Sequence, residues 1–128
     1  MGQQQLLLVI VGVIIVGLAI AVGIGLFSAQ AVSNNRDAMI HDLNMIAQSA
    51  YQYRISIRQL GGGEGNYSNY VIPPQMADNS NGRYTILDAQ VNTIDMKGIS
   101  VADSSNTITA TIDSNGKLGS LTFTGDFQ

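Results

Sequence analysis

Chemistry in this chain would have to come from one histidine, nine carboxylates and no cysteine. His41 stands beside Asp42 and one helical turn from Asn44, a place where an imidazole could act as a base. A lone histidine on a helix reads as a surface or subunit-contact residue before it reads as a catalytic base. With one histidine and no cysteine, a zinc site of the usual make-up cannot be built from one chain. Asp113-Ser114-Asn115-Gly116 has the composition of a calcium loop but lacks the twelve-residue pattern and its closing Glu, leaving at most a weak contact between loops. Gly61-Gly62-Gly63-Glu64-Gly65 does not read as a phosphate cradle, because no strand precedes it and no Lys-Ser/Thr follows. Asn66-Tyr67-Ser68 is an N-glycosylation triplet and makes Asn66 a candidate modification site. Tyr51, Tyr53, Tyr67, Tyr70, Tyr84, Phe27, Phe123 and Phe127 are dispersed and read as packing residues. The expectation is a protein without catalytic residues, metal or cofactor.

The elements around these residues are more telling. From Leu6 to Phe27 every residue is apolar or glycine, and no charged side chain occurs before Arg36. As a helix that run is roughly 33 Å long at ~1.5 Å per residue, enough to cross a hydrocarbon core. It lacks the basic flank of a secretory signal and exceeds the usual apolar stretch of one, although the small residues Ser28-Ala29-Gln30-Ala31 follow. Met1-Gly2 opens like a myristoylation signal, but position 6 is Leu, where that signal has Ser or Thr. Gly12, Gly17, Gly23 and Gly25 each weaken a helix by about 1 kcal/mol relative to alanine, so the Gly17–Gly25 stretch is where it would soften, or where it would pack closely.

Beyond Phe27 the pattern becomes periodic. Met39, Leu43, Ile46, Ala50, Tyr53 and Ile57 recur at alternating three- and four-residue steps, one apolar stripe with Asp37, His41, Asn44, Gln48 and Arg58 turned elsewhere. No proline interrupts residues 6 to 59, so a single helix over about 4–59 is expected, with the glycine cluster after it as the stop. The remainder is rich in Asn, Ser, Thr, Gly and Asp, broken by alternating runs at 83–89, 90–96, 106–112 and 117–123. Asn115-Gly116 between the last two is a strong hairpin signal, and Ile72-Pro73-Pro74 marks an extended connector. The fold class is therefore α+β: a long N-terminal helix with a small antiparallel sheet of three or four strands. The sheet needs cover for its apolar face, and the Met39-to-Ile57 stripe is the amphipathic element that can supply it. Three segments follow: 1–28 as an apolar helix, 29–60 as an amphipathic stem and 61–128 as a β-sheet head. Up to residue 59 the net charge is +1, and beyond it −4, so no nucleic-acid partner is expected.

An uncharged apolar N-terminus, a helix that doubles as span and stem, and a small sheet head together resemble a type IV pilin. The opening Gln5-Leu6-Leu7-Leu8-Val9-Ile10-Val11-Gly12-Val13-Ile14-Ile15 is similar to the start of such pilins, where an acidic residue precedes a Leu/Ile/Val-rich run. Gln5 stands where the family has Glu if Met1 is the first mature residue, Val22 stands where a helix-loosening proline is common, and the frequent C-terminal disulfide is missing. The match is to a divergent or archaeal-like relative. The resemblance implies a filament-core and assembly segment that includes Met1, Gln5, Leu6, Leu7, Val9, Ile10, Val13, Ile14, Gly17, Ile20, Gly23 and Gly25. It also implies a homo-oligomeric helical filament at the cell surface serving adhesion, attachment or motility, fed from a cytoplasmic-membrane pool. A prepilin peptidase, an assembly ATPase and a platform protein would be the partners. Two other readings share the architecture: a minor pseudopilin of a secretion or DNA-uptake machine, and a single-span membrane-anchored binding module.

Overall fold

The computed structural model describes residues Gly2–Gln128; Met1, which the resemblance to pilins places in the assembly segment, lies outside the described residues. The chain begins with α1 (Gly2–Ile55), followed by a 3-10 turn at Arg58–Leu60 and a one-turn helix α2 (Pro74–Ala77). Four strands follow, β1 (Gly82–Ala89), β2 (Ile94–Ser100), β3 (Thr107–Ile112) and β4 (Leu118–Thr124), before a closing 3-10 turn at Gly125–Phe127. The α+β class, the long N-terminal helix and the antiparallel sheet against it are as the sequence implies. Helix α1 is unbroken through Gly17–Gly25, so those glycines do not interrupt it here.

Where α1 ends has a local cause. The glycine loop folds back, and the amides of Gly63, Gly65, Glu64 and Gly62 donate to the carbonyls of Tyr53, Arg54, Ser56 and Ile57, groups that a helix end otherwise leaves unpaired. This ends the helix at Ile55 instead of the expected 59. Gly61 and Gly65 take positive φ of 82° and 89°, the usual reason for glycine after a helix. Gly63 serves differently, because a Cβ there would lie 2.9 Å from the Tyr53 ring.

The chain divides into two compact units, Met1–Ser33 and Asn34–Gln128. In the second, strand order is β1-β2-β3-β4, every neighbouring pair antiparallel. Alternation puts Tyr84, Ile94, Met96, Ile108, Ala110 and Ile112 on the covered face, where they meet Met39, Leu43, Ile46, Ala47 and Ala50 of α1 in one core. Met39 fits a slot that glycine opens: Cβ atoms added at Gly82 or Gly98 would come within 3.0 and 3.1 Å of its methyl group.

The second strand departs from expectation. The sequence places it at 90–96, whereas Gln90 N–H closes a turn on the Thr93 carbonyl and β2 runs from Ile94 to Ser100. Gly98 hid this, since the inward position that continues the alternation carries no side chain. Of the two prolines, Pro73 is extended with ψ of 138°, as expected, whereas Pro74 opens the short α2, a position that preset φ favours.

Candidate functional site

The apolar run in the first unit is a continuous exposed surface. From Leu6 to Phe27 no residue is buried, and the large apolar side chains are between 47% (Val11) and 79% (Phe27) exposed. Leu6, Leu7, Val9, Ile10, Val13, Ile14 and Ile20 are all on this surface, and Gln5 is exposed before it. Cβ atoms at Gly12, Gly17, Gly23 and Gly25 would meet nothing within 4 Å. Helix α1 is long and apolar enough to cross a membrane. Backbone groups are satisfied within a helix, so this segment presents only hydrocarbon, and it suits either lipid or other apolar helices. Removing each large side chain from water is worth roughly 1.5–3 kcal/mol gross, which makes the whole run strongly driven to find cover.

The rear of α1 shows the opposite state. Met39, Leu43, Ile46 and Ala50 are fully buried, as the stripe requires, and Tyr53 is half-buried with its ring 5.5 Å from that of Tyr70. Ile57 is a correction to the stripe. It lies past the helix end, 49% exposed, because the glycine loop has already turned the chain away. Ala47 completes the buried set; its small side chain hid it beside Ile46.

Two polar clusters that sequence reasoning missed fasten this stretch of α1 to the loops around the sheet. Asp42 Oδ2 accepts hydrogen bonds from Asn79 Nδ2 (3.0 Å), Asn81 Nδ2 (3.0 Å) and Tyr84 Oη (2.8 Å). Burial, reinforced by the bond to Asp42 and its charge, pushes the Tyr84 phenol well above its usual range. Asn35 extends the cluster, donating to the Asn81 carbonyl and accepting from Ser100. In the last turn of α1, Arg54 donates to the Ser114 carbonyl (3.0 Å) and to Asn92 Oδ1 (2.9 Å), and its guanidinium lies 5.4 Å from the Tyr67 ring centroid. One arginine thereby holds the β1–β2 and β3–β4 turns, at the helix end where a cation is favoured. The only sequence hint was position: Asp42 is three residues after Met39 and four before Ile46, on the flank of the apolar stripe.

The candidates for chemistry are scattered. His41 is exposed on α1. Asp113 spends Oδ1 on the amides of Asn115 and Lys117, and these bonds, that of Lys117 first, hold its carboxyl below the usual range. It is a turn residue of the Asn115-Gly116 hairpin, where Gly116 has φ of 78°. Among the described residues no three His, Asp or Glu side chains gather where they could hold a metal ion. Asn66 is half-buried and lines an open cleft of about 430 Å³ with Tyr53, Arg58, Gly61, Gly62, Gly63, Ser68 and Asn69.

The long apolar N-terminal helix with a four-stranded antiparallel sheet resembles the architecture of pilins. Comparison with family models, with curated proteins and with solved structures returned no match.

Proposed function

We propose that the chain is the structural subunit of an extracellular filament of the type IV pilus kind. It would polymerise through the apolar front of α1, which rests in the membrane before assembly and among the same segments of other subunits afterwards. The observation that carries this reading is a contrast in burial. The Leu6–Phe27 run is wholly exposed, whereas residues 34–128 already bury a complete core of their own. A segment that contributes nothing to its own domain, yet carries no charge anywhere, is suited to an apolar environment supplied by other molecules. A charge inside such a bundle would be unpaired and desolvated, at a cost of several kcal/mol. The resemblance further suggests a processing peptidase, an assembly ATPase and a platform protein as partners, and the cell surface as destination.

The test is charge insertion. Val13→Asp or Ile15→Lys should abolish filaments in sheared surface material viewed by negative-stain microscopy, with residues 34–128 still folded. Filaments of ordinary length from either variant would refute the core assignment. Native protein found only as single molecules in detergent would point to a plain membrane anchor.

A further inference from the structure

Asn66-Tyr67-Ser68 is the only Asn-X-Ser/Thr triplet in the chain, and the fold treats its three residues unequally. Tyr67 is the anchor: it is fully buried, and its hydroxyl donates to the Asp113 carbonyl at 2.7 Å. Asn66 and Ser68, on either side, both line the open cleft, whose wall includes the bare backbone of Gly61, Gly62 and Gly63. Asn66 Oδ1 accepts the Ser68 amide at 2.8 Å, a local turn that fixes the carboxamide oxygen. That bond holds the carboxamide in place and leaves Nδ2 as the uncommitted group. By contrast Asn35, Asn79 and Asn81 commit their Nδ2 groups to hydrogen bonds within the fold. Among the described residues Asn66 Nδ2 has no hydrogen-bond partner, and it is not among the buried unpartnered atoms, so it is open to solvent at a residue that lines the cleft.

We propose that Asn66 is glycosylated through Nδ2. This rests on the reading that residues 34–128 lie outside the membrane, where a transferase and a polyprenyl-linked sugar meet the chain. In the transfer Nδ2 attacks the anomeric carbon of a sugar phosphate ester, the N–C bond forms and the C–O bond to phosphate breaks. The electron pair leaves with the polyprenyl phosphate, and one Nδ2 proton passes to a base of the transferase. The cleft, about 430 Å³, falls within the ~300–1,000 Å³ of small-molecule sites and leaves room for a first sugar ring beside Tyr53. A sugar here would cover polar loop surface and leave the core untouched.

The experiment is mass spectrometry of full-length protein from its own cells, taken from sheared filaments and from membranes, with the tryptic peptide Gln59–Arg83 examined for sugar. The expected result is a peptide heavier by one or more sugar units, with fragment ions placing them on Asn66. The added mass should vanish in Asn66→Gln and in Ser68→Ala and persist in Ser68→Thr. Ser68 is exposed, so Ser68→Ala removes the acceptor signal without disturbing the core. A bare peptide from folded native protein, or sugar found only on Ser or Thr, would overturn the proposal. Bare Asn66 in intact filaments would sink this inference alone. Glycosylated Asn66 in a protein that never leaves the membrane would sink the filament reading alone.

Discussion

The two halves of α1 belong to one continuous helix and face opposite fates. The front is the more hydrophobic by far and buries nothing; the rear is mixed in character and buries Met39, Leu43, Ile46, Ala47 and Ala50 completely. Burial inside a chain follows from the presence of a complementary surface, and hydrophobicity alone does not secure it. The rear has the Ile94, Met96, Ile108 and Ile112 face of the sheet to meet it, and polar side chains that tie it at both ends through Asp42 and Arg54. From Leu6 to Phe27 no residue is buried. On the proposed reading the cover for that run is lipid first and other subunits afterwards.

The same substitution placed in each half should break different things. Leu43→Asp puts an unpaired carboxylate into the core and should unfold residues 34–128, since several kcal/mol is a large share of a small domain's stability. Thermal unfolding followed by circular dichroism would show no cooperative transition, while membrane insertion of the front half persists. Val13→Asp should do the reverse, leaving the melting transition of residues 34–128 within about 0.5 kcal/mol of the parent and removing filaments. If Val13→Asp also unfolded the second unit, the separation of the two halves would fail.

Next in size is the core itself. Ile46→Ala deletes a fully buried side chain at the helix–sheet contact and should destabilise residues 34–128 by about 2–5 kcal/mol in denaturant titrations. A change confined to a few tenths of a kcal/mol would mean that the stripe is not the core of this unit.

The polar fastening should be weaker than the core and depend on pH. Asp42→Ala leaves Asn79, Asn81 and Tyr84 without their shared acceptor and should cost about 1–3 kcal/mol, whereas Tyr84→Phe removes one donor and should cost about 0.5–1.5 kcal/mol. The phenol's proton affinity is raised in the folded state, so its contribution is complete below the ordinary tyrosine value of about 10 and is lost as pH rises beyond it. Stability should therefore fall above about pH 10, and fall less steeply in Tyr84→Phe. Some slope should survive in that variant, because burial raises Tyr67 and Tyr70 as well. An identical alkaline slope in parent and variant would remove Tyr84 from the account.

What could be read from the sequence follows the range of the interactions. The apolar stripe of α1 and the hairpin at Asn115-Gly116 were legible because helical periodicity and turn chemistry act over a few residues. The start of β2 was not, because Gly98 leaves an inward position blank and the run of inward side chains stops at Met96. Asp42 was not legible as a hub either: its donors arrive from Asn79, Asn81 and Tyr84, about forty residues on. For the front of α1 the composition was plain from Leu6 onward, but no residue of Leu6–Phe27 is buried, so the described residues hold no packing partner for it that could have been read.

Ile57 sharpens the comparison at its smallest scale. By spacing it is the sixth member of the stripe, and a helix running to residue 59 would give it the same core role as Ile46. Instead the amides of Gly63 and Gly65 take the helical carbonyls of Tyr53 and Arg54, the chain turns at Ser56, and Ile57 remains 49% exposed with its carbonyl serving Leu60 and Gly62. Its side chain is then an ordinary surface group, and its backbone is what the turn uses. Ile57→Ala should accordingly change the stability of residues 34–128 by no more than about 0.5 kcal/mol, against about 2–5 kcal/mol for the same truncation at Ile46. Equal losses at the two positions in one denaturant series would restore the longer helix and displace the glycine loop as the element that ends it.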